Sequence, residues 1–149
     1  MTIQFTSKKV GELLKEENLR IPSYQRPYKW NRKHIRNLFY DLRDAMGKKE
    51  YQIGSVILHE ILHEKEKYLD IVDGQQRLIS ISLFLHLLDD LENYKGANQL
   101  LSAEFGELSC YHASENYNEW ENLTQLVGEN QAKDICNFLL ENCSVSVIT

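Results

Sequence analysis

The stretch from Tyr68 to Leu88, with the sequence YLDIVDGQQRLISISLFLHLL, constrains the fold more than any other part of the chain. It begins with a short run of apolar residues that is typical of a buried strand. The pair Asp73-Gly74 then predicts a tight turn, because glycine turns there without steric cost. From Gln75 onward, apolar or small residues recur at helical spacing, so we expect a helix. The positions that carry this period are Leu78, Ile81, Ser82, Leu85, Leu88 and Leu91.

The turn between this strand and this helix has two interpretations. In the first, backbone N–H groups at the start of the helix converge on one spot, which suits a phosphate. Arg77 supports this interpretation, because a cation in the first turn opposes the helix dipole and does not stabilise the helix. In the second, Asp73 and Gln76 form a capping box that only starts the helix, worth about 1 kcal/mol. The two are compatible, since a capped N-terminus keeps other donors for a phosphate.

Length and composition indicate one ordinary globular domain. The chain has 149 residues, of which 42% are hydrophobic and 26% charged, and that length can bury a core. No apolar run is long enough to span a bilayer, and the polar start is not a signal peptide, so we expect no membrane partner. The cysteines, Cys110, Cys136 and Cys143, include no CxxC pair, which indicates reduced thiols in the cytoplasm. We expect Cys136, which has apolar neighbours, to lie in the core.

Charge is distributed unevenly along the chain. The formal net charge of −5 argues against a DNA-binding field over the whole protein. The segment 19–40 nevertheless has six basic residues and no acidic one, so a locally basic face is expected. Within it, Asn31 is predicted to cap a helix, and Arg32, Lys33 and Arg36 on that helix are candidate contacts to the DNA backbone. A solvated charged face is the commoner alternative.

The remaining pattern predicts an α+β domain in which strands and helices alternate irregularly. We expect an edge strand over 3–5, a short helix capped by Thr6 or Ser7, and a strand over 51–58. A charged connection over 60–67 then leads back into the strand of the central turn, which makes a hairpin. Short helices and loops are predicted over 97–118, a helical stretch over 120–140 and a last strand over 144–149. In the loop over 22–30 we expect Tyr28 and Trp30 to anchor the loop onto the domain rather than to stack on a ligand.

The segment from His59 to His63 matches H-E-x-x-H, the pattern of zinc proteases. That chemistry needs both histidines on one face of a helix and a third ligand. The preceding residues favour a strand and the following ones are charged, so we interpret the match as chance. His59 and His63 are expected in or beside a hairpin connection, without a metal.

Three motifs in order resemble a known family. They are IPSYQRPYKW over Ile21–Trp30, Gly54-Ser55 inside a strand, and DGQQRL over Asp73–Leu78. Together they resemble the N-terminal domain of GmrS-type proteins, the nucleotide-using components of modification-dependent (type IV) restriction systems. The resemblance implies a ParB/sulfiredoxin-like fold, a small mixed sheet packed with helices in a single domain over 1–149. The core motifs lie in 19–92, and 93–149 is a helical and strand extension.

In that family the D-G-Q-Q-R loop is associated with binding and hydrolysing a nucleoside triphosphate. The resemblance therefore implies that Asp73 holds Mg²⁺ or orients a water, and that arginines grip phosphate while glutamines position the nucleophile. The implied catalytic residues are Asp73, Gln75, Gln76 and Arg77. The implied nucleotide-binding residues are Tyr24, Gln25, Arg26, Gly54, Ser55 and Gly74.

The resulting hypothesis is a Mg²⁺-dependent nucleoside triphosphatase that serves DNA restriction in phage defence. Its alternative is a ParB-related module that binds nucleotide or the DNA backbone without turnover, and a bare interaction module is the third possibility. Family members usually continue past the last strand into a helical or nuclease domain. We therefore expect this chain to be a fragment of a longer protein, with a nuclease domain or subunit supplied from elsewhere.

Overall fold

The architecture is built on one mixed sheet, here described in a computed structural model over residues 3–22, 27–105 and 111–149. Its strands are β1 (Phe5–Lys9), β2 (Leu19–Arg20), β3 (Tyr51–His63), β4 (Glu66–Asp73) and β5 (Cys143–Ile148). Their order across the sheet is β1-β5-β3-β4-β2. Pairs β3–β5 and β2–β4 are parallel, whereas β1–β5 and β3–β4 are antiparallel. The predicted α+β class with a small mixed sheet is therefore confirmed.

Six helices pack with this sheet in the described part of the chain. They are α1 (Val10–Leu14), α2 (Arg32–Ala45), α3 (Gln75–Leu87), α4 (Lys95–Phe105), α5 (Tyr111–Val127) and α6 (Glu129–Asn142). Along β5, Val145 and Val147 are buried while Ser146 and Ile148 are only half-buried. Because successive side chains of a strand point to opposite faces, this alternation indicates that one face of the sheet carries the core.

Helix α3 is the central helix of the domain. Residues from Leu78 to Leu85 are buried without interruption, and the ring of Phe84 stacks on Trp120 of α5 with centroids 4.2 Å apart. The amphipathic stripe expected from the sequence is therefore wrong in one respect, because the helix is enclosed by its neighbours on nearly all sides. It also ends at Leu87 and does not reach Leu91. Asp89 adopts a left-handed φ of 59°, and the Asp90 N–H bonds back to the Leu85 carbonyl at 3.0 Å, which stops the helix.

The predicted hairpin over β3 and β4 is confirmed, but its strands are longer than expected. β3 continues to His63, and the chain turns within Glu64 and Lys65. The segment predicted as a charged connection belongs to the strands because its charges pair across them. Lys67 Nζ lies 2.9 Å from Glu60 Oε1.

Both histidines of the H-E-x-x-H match lie in β3, which runs past the predicted strand end; His63 is its last residue, beside the hairpin turn, whereas His59 lies within the strand. Residues four apart on a strand are separated by about 13 Å, so His59 and His63 do not meet as they would on a helix. Over the described ranges, no group of three or more His, Cys, Asp or Glu side chains is placed to hold a metal ion. The zinc-protease geometry is therefore not met.

Three local predictions differ from the structure. Thr6 and Ser7 do not cap α1, because they pair with Val147 and Ser146 inside the sheet, and α1 begins after Lys9 without a side-chain cap. Residues 97–118 were expected to form short helices and loops; of the described residues in this range, 97–105 lie in α4 and 111–118 in the long helix α5. The helical stretch over 120–140 is divided by Gly128, which has a φ of 94°.

Other local predictions are confirmed. The Asn31 side chain accepts hydrogen bonds from the N–H groups of Lys33 and His34, and His34 Nδ1 accepts from Asn31 N–H. The last strand lies within one residue of its predicted start, and Cys136 is 2% exposed in the core. Among the residues described, no helix is long and apolar enough to cross a bilayer.

Candidate functional site

A cavity of about 490 Å³ opens where β4 passes into α3. That volume is within the range of small-molecule binding sites. One wall is the β4–α3 turn, and the other is the loop that precedes α2. The lining residues are Pro27, Lys29, Trp30, His34, Val72, Asp73, Gly74, Gln75, Gln76 and Arg77. We call this space the phosphate cavity, after the ligand that the sequence leads us to expect at the turn.

Gly74 makes the turn between β4 and α3. It has a φ of 104°, and a Cβ at this position would lie 3.1 Å from Val56 Cγ2 and 3.2 Å from the Ser55 carbonyl oxygen. Any other residue would be both strained and crowded against β3. Glycine also has no side chain with which to cap α3, so the helix begins without a side-chain cap.

The capping-box interpretation of Asp73 is therefore wrong. The residue at the cap position is Gly74, which leaves Asp73 as the last residue of β4, one position too early to cap the helix. Its side chain is exposed at the edge of the phosphate cavity. Asp73 therefore does not cap α3, which is the role that the sequence pattern predicted for it.

Gln76 connects the turn to the loop before α2. Its side-chain oxygen accepts hydrogen bonds from the N–H groups of Lys29 at 2.8 Å and Trp30 at 3.2 Å, and its Nε2 donates to the Pro27 carbonyl at 3.3 Å. The amide therefore clamps the loop to the helix and forms one wall of the cavity. Gln75 is buried, with 6% of its surface exposed. Their predicted catalytic role stays a prediction.

Arg77 lies across the backbone of β3 at Gly54. A Cβ at Gly54 would overlap Arg77 Nη1 and lie 3.1 Å from Cζ, so the absence of a side chain there makes room for the guanidinium. This is the close approach that a glycine within a strand predicts. In the part of the chain that the structure describes, Arg77 forms no ion pair, so its charge is available to an anion.

The loop before α2 is anchored by a buried polar network. Tyr28 is 1% exposed, and its Oη lies 2.5 Å from Ser80 Oγ. Ser80 Oγ donates to the Gln76 carbonyl at 2.8 Å, so it accepts its bond from Tyr28. Asn116 Nδ2 of α5 donates to Tyr28 Oη at 2.8 Å and to the Trp30 carbonyl at 2.7 Å. The anchoring predicted for Tyr28 is confirmed, whereas Trp30 is held by its backbone carbonyl and its ring is only partly buried.

Sequence reasoning missed Ser80 and Asn116. The sequence offered no signal for either: Ser80 lies off the apolar stripe of α3, and no helical period was found around Asn116. A buried polar side chain must find a partner, which points to a network but not to its members.

The candidate DNA-contacting residues Arg32, Lys33 and Arg36 are exposed on α2, as expected. Two of them are paired with carboxylates of α5. Arg32 Nε lies 3.2 Å from Glu115 Oε1, and Arg36 Nε lies 3.2 Å from Glu119 Oε2. The acidic partners missing from the segment 19–40 are thus supplied by α5, which is distant in sequence. Of the three basic residues, Lys33 is the one without an ion pair in the described residues.

The other predicted site residues fall into two groups. Gly54 and Ser55 lie behind the turn, where they accommodate Arg77 and Gly74, and they are not among the residues that line the phosphate cavity. Tyr24, Gln25 and Arg26 lie outside the described residues. Their neighbours Pro27 and Lys29 line the cavity.

The fold and the site define an α+β domain with an open cavity. The cavity is bordered by a glycine turn, by a helix without a side-chain cap and by an arginine without an ion pair in the described residues. The family can be stated as well. The chain belongs to the family of GmrSD restriction endonuclease N-terminal domains, whose model matches residues 10–147. The resemblance drawn from the three motifs is confirmed, and the match includes most of the extension over 93–149. The chain is thus a component of a restriction system, a form of phage defence. No curated protein matches it.

Proposed function

We propose that this domain binds a nucleoside triphosphate by its phosphates in the phosphate cavity and hydrolyses it with Mg²⁺, thereby gating the restriction of modified DNA. The observation that carries the proposal is the placement of Arg77. It lies on the first turn of α3, faces the cavity and has no ion-pair partner in the described residues.

The electrostatics of the turn support a phosphate ligand. The partial positive charge of a helix N-terminus and the charge of Arg77 repel each other, and a bound anion turns that repulsion into two attractions. The guanidinium can donate two parallel hydrogen bonds to phosphate oxygens. The backbone N–H groups of Gln76 and Arg77 also lie in the first turn of α3, where the helix itself supplies no carbonyl to accept a hydrogen bond from them.

Asp73 fits a role in holding Mg²⁺. The ion usually takes one or two protein carboxylates, keeps several waters and completes its shell with substrate phosphate oxygens. Asp73 is the single carboxylate among the described residues that line the phosphate cavity, and its side chain is exposed there. When bound, Mg²⁺ would neutralise phosphate charge, while Asp73 would orient its water shell and Arg77 would hold the phosphate.

Binding without turnover is the second candidate, and one observation favours it. Gln76 was expected to position a nucleophile, but all three of its hydrogen bonds go to the loop. A glutamine that is used as a clamp is not available to orient a water unless the loop moves.

Isothermal titration with nucleoside triphosphates and Mg²⁺, together with a phosphate-release assay, tests the proposal. We expect Arg77→Lys to keep the charge but lose the forked geometry, so that triphosphate affinity falls roughly tenfold or more. Arg43→Lys, the same change at an exposed arginine of α2, is the matched control and should bind as the wild type does. Equal affinities in the two variants, or no binding by the wild type, would overturn the site.

Asp73→Asn separates hydrolysis from binding alone. Because Asp73 is exposed and caps nothing, this change should leave the unfolding free energy within about 0.5 kcal/mol of the wild type. It should abolish phosphate release if Asp73 holds the ion. Wild-type protein that binds triphosphate but releases no phosphate would establish the second candidate.

A further inference from the structure

A second, smaller cavity of about 230 Å³ adjoins the phosphate cavity. Trp30, His34 and Arg77 line both spaces, so a ligand that reaches from one to the other passes the same guanidinium. Whole small-molecule sites usually measure about 300–1,000 Å³, so the smaller cavity fits one part of a larger ligand. We call it the base cavity.

We propose that the base cavity holds the nucleobase of the nucleotide whose phosphates occupy the phosphate cavity, and that it selects guanine. This inference rests on the proposed function and adds the identity of the substrate to it. It is drawn from two kinds of side chain in the cavity wall, planar rings and hydrogen-bond acceptors.

The planar rings belong to Trp30 and His34. They stack with centroids 5.2 Å apart and an interplanar angle of 17°. His34 Nδ1 accepts the Asn31 N–H, which fixes the imidazole, and the Trp30 backbone is held by Asn116 and Gln76. A fixed aromatic pair offers a base a surface to stack on, and such stacking raises affinity roughly 5- to 150-fold per base.

The polar groups of the wall are rich in acceptors. Asp41 is a carboxylate without an ion pair in the described part of the chain. Gln52 Nε2 donates to the Gly54 carbonyl at 3.1 Å and to Ser146 Oγ at 2.7 Å, so its amide group presents Oε1 as the remaining atom. Asn37 supplies an amide that can donate or accept.

Guanine matches this set of acceptors better than the other bases. Its N1–H and 2-amino groups are adjacent donors, which one carboxylate such as that of Asp41 can accept together. Adenine, cytosine and uracil each place an acceptor beside their donor on that edge, so a carboxylate would meet one repulsive neighbour. The Asn37 amide can donate to the guanine O6.

Titration with four ligands in the presence of Mg²⁺ tests the inference: GTP, ITP, ATP and inorganic tripolyphosphate. ITP lacks the 2-amino group, and tripolyphosphate lacks the base altogether. We expect GTP to bind roughly 5- to 150-fold more tightly than ITP or ATP. Asp41→Ala should remove that preference and leave tripolyphosphate affinity unchanged. Asp44→Ala removes the same charge from the same helix outside the lining of both cavities, and it should keep the preference.

Tryptophan fluorescence gives an independent readout. The chain has two tryptophans, and Trp120 is fully buried against Phe84. Quenching by GTP but not by tripolyphosphate would therefore report a base at Trp30. Trp30→Phe removes the fluorophore next to the base cavity, so it should lose the quenching by GTP.

The outcomes separate this inference from the proposed function. If the three nucleotides bind no differently from one another, or if Asp41→Ala behaves as Asp44→Ala does, guanine selection by the base cavity is overturned. Loss of tripolyphosphate binding in Arg77→Ala would then still support the phosphate site. If none of the four ligands binds the wild-type protein, both proposals fall.

Discussion

Gly54 provides the sharpest test of how this site is built, because it positions Arg77 although it is not among the residues that line the phosphate cavity. A methyl group at Gly54 would occupy the position of Arg77 Nη1. That nitrogen is the far end of a flexible side chain, so the guanidinium can swing away while the strand stays in place. We therefore expect Gly54→Ala to displace Arg77 without unfolding the domain.

The expected magnitudes follow from the two consequences of the change. Gly54 has a φ of 145°, and a residue with a side chain in such a region costs about 1–3 kcal/mol of stability. Displacing the guanidinium removes a charge-assisted contact to phosphate, worth about 1.5–3 kcal/mol. Affinity for tripolyphosphate should consequently fall roughly 10- to 150-fold.

The measurement combines urea unfolding with titration of tripolyphosphate in the presence of Mg²⁺. Gly47→Ala is the matched control, because Gly47 has a φ of 100° and nothing lies within 4 Å of its would-be Cβ. It should show a similar loss of stability and wild-type affinity. In a double-mutant cycle, Gly54→Ala should weaken binding no further once Arg77 is alanine, since the two changes remove the same contact.

Either of two results would refute the reasoning. A folded Gly54→Ala protein that binds tripolyphosphate as tightly as Gly47→Ala would show that the position of Arg77 does not matter for the ligand. Additive losses in the double-mutant cycle would show that Gly54 acts on binding by another route.

Three further predictions concern the anchor, the basic helix and the core thiol. Tyr28→Phe should destabilise the domain by about 1–3 kcal/mol in urea unfolding, because it leaves two buried hydrogen-bond partners short of a bond. If the domain binds DNA, reversing the charges of Arg32, Lys33 and Arg36 should weaken that binding and reduce its dependence on salt. Of the three single reversals, that of Lys33 should have the largest effect, because the two arginines already form ion pairs with glutamates of α5. Burial raises the pKa of Cys136 to about 12 from a usual value of 9.0. Between these two pH values the folded state keeps a thiol proton that the unfolded state loses. The free energy of unfolding should therefore fall as pH rises from about 9 toward 12.

Each of these predictions has its own control. Tyr40→Phe removes a hydroxyl from a tyrosine that is 38% exposed, and it should leave the urea midpoint unchanged. DNA binding that survives the triple charge reversal would exclude α2 as a contact surface. For the thiol, Cys136→Ala should have a shallower decline of stability above pH 9, and an identical decline in both proteins would contradict the assignment.

The parts of this fold that could be predicted are those encoded by neighbours in sequence. The change of period after Asp73, the glycine turn and the Asn31 cap are all decided within a few residues, and they were found. The hairpin was also found, although the pairing of Lys67 with Glu60 extended its strands into a segment whose charges indicated a loop.

The polar connections of the site could not be predicted, because their partners are far apart in the chain. Gln76 holds a loop 46 to 49 residues away, and Asn116 reaches Tyr28 across 88 residues. The same limit applies to Arg32, whose charge looked available until α5 placed Glu115 beside it. A sequence pattern shows that such side chains need partners, but not which ones the fold supplies.

At the β4–α3 turn, the sequence lacks the residues that would best stabilise the start of helix α3. Gly74 leaves α3 without a side-chain cap, which forgoes only a few tenths of a kcal/mol, and Arg77 places a cation where the helix dipole favours an anion, at a cost of about 0.3–1 kcal/mol. The helix tolerates both because packing encloses it from Leu78 onward. Asp73 would offset part of this cost as a cap, yet it lies one residue too early to do so. The turn itself requires Gly74, because its φ is 104° and β3 leaves no room for a side chain. Neither the cap nor the dipole accounts for Asp73 and Arg77, whereas the proposed phosphate with its counterion would account for both: the arginine by its forked guanidinium and the aspartate by its exposed carboxylate.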